Sequence, residues 1–254
     1  MKHRKKKEKD LNGEIIFHKS FESKILNIKR DIIIWLPPSY KGGLGNYSVL
    51  YMHDGQNLMD PKTSFAGVDW SVNKTAAKLI KENKIKEIII VGIYNTPDRL
   101  QEYSISKKGE DYLNFIIQEL KPFVDENYRT KKGRENTAIM GSSMGGLISF
   151  FAVWNFSNVF SMAGCLSSSF YYKKNKAINM VKRDKNERKP VKIYLDHGED
   201  GLKEGQKMFC ALTKKGFIIG TDVDYFYARG AEHTEAAWAE RMERPLTFFF
   251  GKFD

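Results

Sequence analysis

The chain reads as an α/β protein with a mostly parallel central sheet covered by helices on both faces. Two observations lead there. Short runs rich in Ile, Val and Tyr alternate with helix-period runs along the chain, the signature of β-α-β units. Neither an internal repeat nor a Gly/Ser/Pro-rich linker divides the 254 residues, a length that suits one sizeable domain.

In order, segments 14–18 and 24–36 read as an amino-terminal β pair closed by Pro37-Pro38. Segment 47–54 reads as a buried strand running into a polar loop, 71–82 as a helix, and 86–94, centred on Ile88-Ile89-Ile90-Val91, as a central strand. Segment 111–127 is helical in pattern, with Pro122 expected to kink or bound it. A strand at 136–140 and an apolar helix at 146–154 follow, then strands at 159–166, 190–196 and 222–228. A helix at 204–215 and a closing helix at 234–249 complete the set.

Between the strand at 136–140 and the helix at 146–154 lies Gly141-Ser142-Ser143-Met144-Gly145. The G-x-S-x-G pattern puts its middle serine on a strained strand-to-helix turn, and small residues two positions either side let strand and helix approach. The pattern alone is weak. Strand, tight turn and helix are the setting it requires, and they nominate Ser143 as a nucleophile.

A serine hydroxyl needs an imidazole to take its proton and a carboxylate to orient that imidazole. On a sheet of this kind the order is serine, acid, histidine, each on a loop at the carboxyl end of a strand. Of five histidines, only His233 follows both the serine and an acid-bearing loop. That loop, Asp196-His197-Gly198-Glu199-Asp200-Gly201, offers three carboxylates. Asp200 lies far enough past the strand end to reach across; Glu199 is the alternative, and Asp196 suits tying down the strand. The same stretch has a calcium-loop spacing, but Lys207 stands where that loop needs glutamate, so no metal is expected. The oxyanion requires two N–H donors. Met144, following the serine, supplies one, and Gln56, in the loop His53-Asp54-Gly55-Gln56-Asn57, is the candidate for the other. Asn57, Trp70 and Tyr171 are candidate substrate contacts. Phe170 and Tyr172 are further aromatic candidates, Trp238 is expected in the core, and Arg99 with Glu102 is a candidate ion pair.

The net charge of +11 is concentrated. Residues 1–10 contribute +4 and residues 171–192 contribute +7, so the remainder is neutral. Residues 1–10 read as a disordered basic tail ahead of a single domain from 11 to 254. Segment 168–190 reads as a short basic cap-like insertion, its lysines either attracting an anionic substrate or forming a solvated surface helix that faces away from the site. Basic residues confined to a tail and one insertion do not suit nucleic-acid binding, which interleaves them with aromatics on folded elements. No apolar run is long enough to span a membrane, and the basic amino terminus has no apolar h-region behind it. Cys165 and Cys210 form no metal or redox spacing and read as buried thiols. A cytoplasmic enzyme is expected.

Together, Tyr51-Met52-His53-Asp54-Gly55-Gln56-Asn57, Gly141-Ser142-Ser143-Met144-Gly145-Gly146, and Gly230-Ala231-Glu232-His233 with Trp238 resemble the putative-esterase family. This is the group of esterase D, enterochelin esterases and the feruloyl or acetyl-xylan esterases of carbohydrate esterase family 1. The likeness runs from about residue 15 to the end. It implies the α/β-hydrolase fold, no cofactor, Ser143 as nucleophile, His233 as base, and oxyanion amides at Gln56 and Met144. The activity implied is a serine esterase of small or carbohydrate-linked esters, with a siderophore trilactone as the alternative and a non-catalytic binding protein as a third reading. One departure stands out: in many members the acid sits three residues after the loop glycine, which here is Gly201.

Overall fold

A computed structural model describes residues 12–252; the expected basic tail lies outside them. Their centre is an eight-stranded sheet in the order β1-β2-β4-β3-β5-β6-β7-β8. These strands are β1 (Glu14–Ser23), β2 (Ile28–Leu36), β3 (Ser48–His53), β4 (Ile88–Ile93), β5 (Thr137–Ser142), β6 (Met162–Leu166), β7 (Lys192–His197) and β8 (Val223–Tyr227). The first two form an antiparallel ribbon, and β2 pairs antiparallel with β4. From β4 to β8 every pairing is parallel.

Strand alternation sorts side chains into two layers. Val49 and Tyr51 of β3, Ile89 and Val91 of β4, and Ile139 of β5 enter one apolar cluster. Their neighbours Leu50, Met52, Ile88, Ile90, Ala138 and Met140 enter the other. The first layer is closed by α3 (Lys107–Phe115), α4 (Lys121–Asn127), α5 (Met144–Asn155), α6 (Tyr172–Arg183) and α7 (Leu202–Lys214), and the second by α1 (Val72–Lys81), α8 (Glu235–Glu240) and α9 (Glu243–Phe250). The short α2 (Arg99–Glu102) follows β4. Among the described residues no helix is long and apolar enough to cross a membrane.

Three helical expectations are refined. The run at 111–127 is interrupted by a π-helical turn, Ile116–Leu120, and resumes as α4 with Pro122 in its first turn, where the missing N–H costs nothing. The closing helix is two helices. Pro245 has no N–H to give the carbonyl of Arg241, and its ring crowds that carbonyl, so α8 ends at Glu240 and α9 restarts at Glu243. The basic segment contains α6, which buries Ala177, Ile178 and Val181 and keeps its lysines outside.

The chain leaves β3 to form β4 on one side, then crosses to form β5 on the other. That reversal opens a crevice at the carboxyl ends of β3 and β5, the position where open α/β sheets bind ligands.

Candidate active site

Ser143 joins β5 to α5 with φ 56° and ψ −120°. A non-glycine residue there is strained and persists only if its surroundings dictate it. Two glycines do so. A Cβ on Gly141 would stand 2.8 Å from the Gly145 carbonyl carbon, so strand and helix meet at a distance no side chain permits. The backbone on both sides of the serine is held as well: Ser143 N–H donates to Leu166 O at 2.9 Å, and Ser169 N–H donates to Ser143 O at 3.0 Å. The hydroxyl lies 3.3 Å from Ser169 Oγ.

Met144 is the first residue of α5, so its N–H has no acceptor within the helix and adds to the positive helix end. Gln56 occupies the single 3-10 turn Gly55–Asn57 after β3. Asp54 enters that turn at φ 57°, and a Cβ on Gly55 would meet Gly92 of β4 at 2.7 Å, which fixes the turn against the sheet. Asp54 is nearly inaccessible and takes a two-pronged ion pair from Arg99, 2.7 Å to Nε and 2.8 Å to Nη2. Such a fork supplies direction as well as charge balance. Beneath the turn, His53 donates to or accepts from Tyr112 Oη at 2.8 Å. Burial drives its pKa down to about 3 against the pull of Asp54, so it is neutral packing and no base.

His233 immediately precedes Thr234, whose side chain caps α8. Its Nδ1 is hydrogen-bonded to Asp200 Oδ2, and its ring stands edge-on to Trp238, centroids 5.0 Å apart. Ser143 and His233 line one cavity of about 470 Å³, together with Gln56, Asn57 and Arg99.

The other two carboxylates of the acid loop have separate employment. Glu199 accepts from Tyr227 Oη at 2.8 Å and from Gly230 N–H at 2.7 Å, bonds that hold its pKa below the usual range and tie the acid loop to the histidine loop. Asp196 is fully buried, 3.0 Å from Arg241 Nε, and accepts from Ser167 N–H at 3.1 Å. Burial pushes its pKa up despite Arg241. Gly201, where the family resemblance would place the acid, holds φ 66° just before α7, a left-handed position suited to glycine. The residue before it is the one that reaches the imidazole.

Several sequence expectations need correction. Trp70 is fully buried and packs on Trp238 at 5.4 Å; it belongs to the core because it follows the loop back under the sheet. Tyr171 is 60% exposed and stands off the cavity lining, while Phe170 is buried against Phe150. Trp238 is buried as expected but also lines the cavity. Arg99 pairs with Asp54, and Glu102 pairs with Arg30 at 2.6 Å in a fully buried contact. Cys210 is exposed, whereas Cys165 is buried. Sequence reading missed Ser169, Asn95, Glu235 and Phe65. Asn95 and Ser169 reach it through contacts 26 to 41 residues apart in sequence, whereas Phe65 sits eight residues past Asn57 and Glu235 two past His233, short spacings that carried no motif.

The fold is that of α/β-hydrolase-like esterases, and the chain is a carboxylic ester hydrolase. The chain belongs to the putative esterase family, whose model matches residues 23–249. It is 23% identical to the uncharacterized Bacillus subtilis protein YbbA over 88% of this chain and 93% of that one. It is 28% identical to an endo-1,4-beta-xylanase/feruloyl esterase of Xylanibacter ruminicola over 95% of this chain, but spans only 32% of that protein. In structure it resembles a ferulic acid esterase (TM-score 0.79, 21% identity, 94% of this chain and 97% of that one). It also resembles the enterobactin esterase of Shigella flexneri (TM-score 0.75, 17% identity, 93% and 58%).

Proposed function

We propose that the chain is a serine esterase working through an acyl-enzyme, with Ser143 as nucleophile, His233 as base and Asp200 as the acid that orients it. The observation that carries this reading is the Asp200–His233 hydrogen bond on the cavity that Ser143 also lines. Ser143 Oγ attacks the ester carbonyl while His233 Nε2 accepts its proton. The oxyanion is held by the Gln56 and Met144 amides, and His233 then protonates the leaving alcohol. Water repeats the sequence in reverse on the acyl-serine, His233 taking its proton and Ser143 leaving.

The substrates proposed are small or carbohydrate-linked esters of the acetyl or feruloyl type. The feruloyl esterase relative supports this. So does the lining, where Asp54 already balances Arg99 and Asn57 and Glu235 offer neutral and anionic acceptors. The trilactone alternative draws on the likeness to the enterobactin esterase and on the basic segment, but the cavity lining contains none of that segment's lysines. We read residues 11–254 as one catalytic domain with 168–190 as its basic cap. A cytoplasmic setting is proposed from the free thiols Cys165 and Cys210.

The test is hydrolysis of methyl ferulate, an acetylated xyloside and a catecholate trilactone by the wild-type protein and Ser143→Ala. Serine-dependent turnover of either of the first two supports the reading. Preference for the trilactone moves it to the alternative, and turnover that survives Ser143→Ala overturns the mechanism.

A further inference from the structure

Phe65 lines the Ser143 cavity and is nevertheless 92% exposed. A single exposed aromatic is ordinary on a protein surface. This one is set apart by how firmly its loop is tied to the catalytic turn. Phe65 N–H donates to Asn57 Oδ1 at 3.0 Å, and Thr63 Oγ1 donates to Gln56 O at 2.6 Å. Ser64 Oγ closes the loop on itself by donating to Val68 O at 2.5 Å. Gln56 and Asn57 belong to the 3-10 turn after β3, so the segment presenting the ring is bonded at two points to the turn whose Gln56 amide is proposed to hold the oxyanion.

Asn57 also reaches the opposite wall. Its Nδ2 donates to Glu235 Oε1 at 3.4 Å, and Glu235 is the first residue of α8, two places after His233. A buried asparagine thus spaces the Phe65 ring, the Glu235 carboxylate and the oxyanion turn around one opening. The contact to Glu235 is long, which leaves most of its acceptor capacity free. Among the described residues no lysine or arginine forms an ion pair with Glu235, while Asp54 is paired with Arg99 and Asp200 is hydrogen-bonded to His233. The opening therefore offers an apolar ring face beside an unpaired anionic acceptor.

We propose that Phe65 and Glu235 form a specificity subsite for a neutral, hydroxylated ring carried by the ester. The ring lies against Phe65 while its hydroxyls donate to Glu235 and Asn57. This rests on the esterase reading and sharpens it: the subsite selects ring-bearing over ringless esters and disfavours anionic rings, which Glu235 repels. The same chemistry is met by a phenolic ring on the acyl side or a sugar ring on the alcohol side.

The experiment compares wild type, Phe65→Ala, Phe65→Tyr and Glu235→Gln on methyl ferulate, an acetylated methyl xyloside and ringless ethyl acetate. In Phe65→Ala the ratio of kcat/KM for a ring ester to that for ethyl acetate should fall about tenfold, carried by KM, since a ring-on-ring contact has about that worth. Phe65→Tyr should restore the ratio. A fall confined to methyl ferulate assigns the ring to the acyl side, and one confined to the xyloside assigns it to the alcohol side. Glu235→Gln should raise kcat/KM severalfold for a carboxylated phenyl ester relative to the neutral ring esters. An unchanged ratio in Phe65→Ala, or a wild-type preference for ethyl acetate over both ring esters, overturns the subsite. An unaltered neutral-to-anionic preference in Glu235→Gln overturns the part assigned to charge. Labelling of Ser143 by a fluorophosphonate keeps the two readings apart. Labelled protein with no Phe65 effect loses only the subsite, whereas protein that neither labels nor turns over any ester loses the esterase reading itself.

Discussion

The two halves of the cavity are built on opposite terms. Ser143 and the oxyanion turn grow from β5 and β3 in the middle of the sheet, over residues that are fully buried, and glycine contacts closer than 3 Å dictate their backbone. Asp200 and His233 grow from the loops after β7 and β8 at the sheet edge, and their side chains are 36% and 39% exposed. Strain is stored where packing can enforce it, while the proposed base and the acid proposed to orient it stay near water. The nucleophile half should therefore tolerate no change of shape, and the relay half should be sensitive chiefly to change of charge.

The largest break in that comparison is Ser143→Ala. Ester turnover should fall by at least about 10³-fold with thermal stability near wild type, because the variant keeps the Cβ and the backbone bonds. Ser142→Ala should retain most activity, since Ser142 ends β5 and, although it too lines the cavity, no step of the proposed mechanism uses its hydroxyl. If Ser142→Ala were the inactive variant, the register of the elbow would be wrong.

The same division governed what the sequence disclosed. The elbow is a local pattern, five residues whose flanking strand and helix are adjacent in the chain, so Ser143 and Met144 could be nominated without a fold. The parallel strands were visible for a related reason: strands buried on both faces are continuous apolar runs. Asp200 could be ranked only by loop reach, because its contact with His233 spans 33 residues. Trp70 and Tyr171 misled because aromatic character does not reveal which way a loop folds back. The Asp54–Arg99 and Arg30–Glu102 pairs were missed because each joins residues more than 40 apart.

In the relay half, Asp200→Asn should lower kcat by about 10²- to 10⁴-fold with little change in KM, because the imidazole loses its orienting charge. Glu199→Gln should cost far less, its carboxylate being spent on Tyr227 and Gly230. Wild-type activity in Asp200→Asn would hand the role to Glu199 or Asp196.

Each half rests on a buried neutral histidine, and pH should reveal both. His53 under the oxyanion turn has its pKa lowered to about 3 and His197 under the acid loop to about 4, each chiefly by burial. The unfolded chain protonates them near 6.5 and the folded chain does not. Their stability contribution is thus complete above pH 6.5 and is lost as pH falls toward 4. Each histidine should weaken folding by about 1.4 kcal/mol per pH unit in that window. Denaturant titrations from pH 7 to 4.5 should show the slope, and His53→Gln should reduce it by about half. A flat profile would mean that both rings are protonated in the folded state, and half the slope that one of them is.

The smallest expected effect asks whether the nucleophile half is rigid down to its hydroxyl. In the resting site Ser143 Oγ sits 3.3 Å from Ser169 Oγ, a neighbour buried to 1% exposure that also donates its N–H to Ser143 O. In the proposed mechanism the hydroxyl must leave this partner to give its proton to His233. Ser169→Ala removes the side-chain contact and keeps the backbone bond, so stability should hardly change. At such a length the bond is worth less than about 1 kcal/mol, which limits the change in rate to a few-fold. If Ser169 merely parks the hydroxyl, its loss should raise the single-turnover acylation rate about two- to threefold with the pH profile unmoved. A fall of similar size would show that Ser169 steers the hydroxyl toward the carbonyl. The packed half would then extend its control beyond the backbone to the last rotatable bond of the nucleophile.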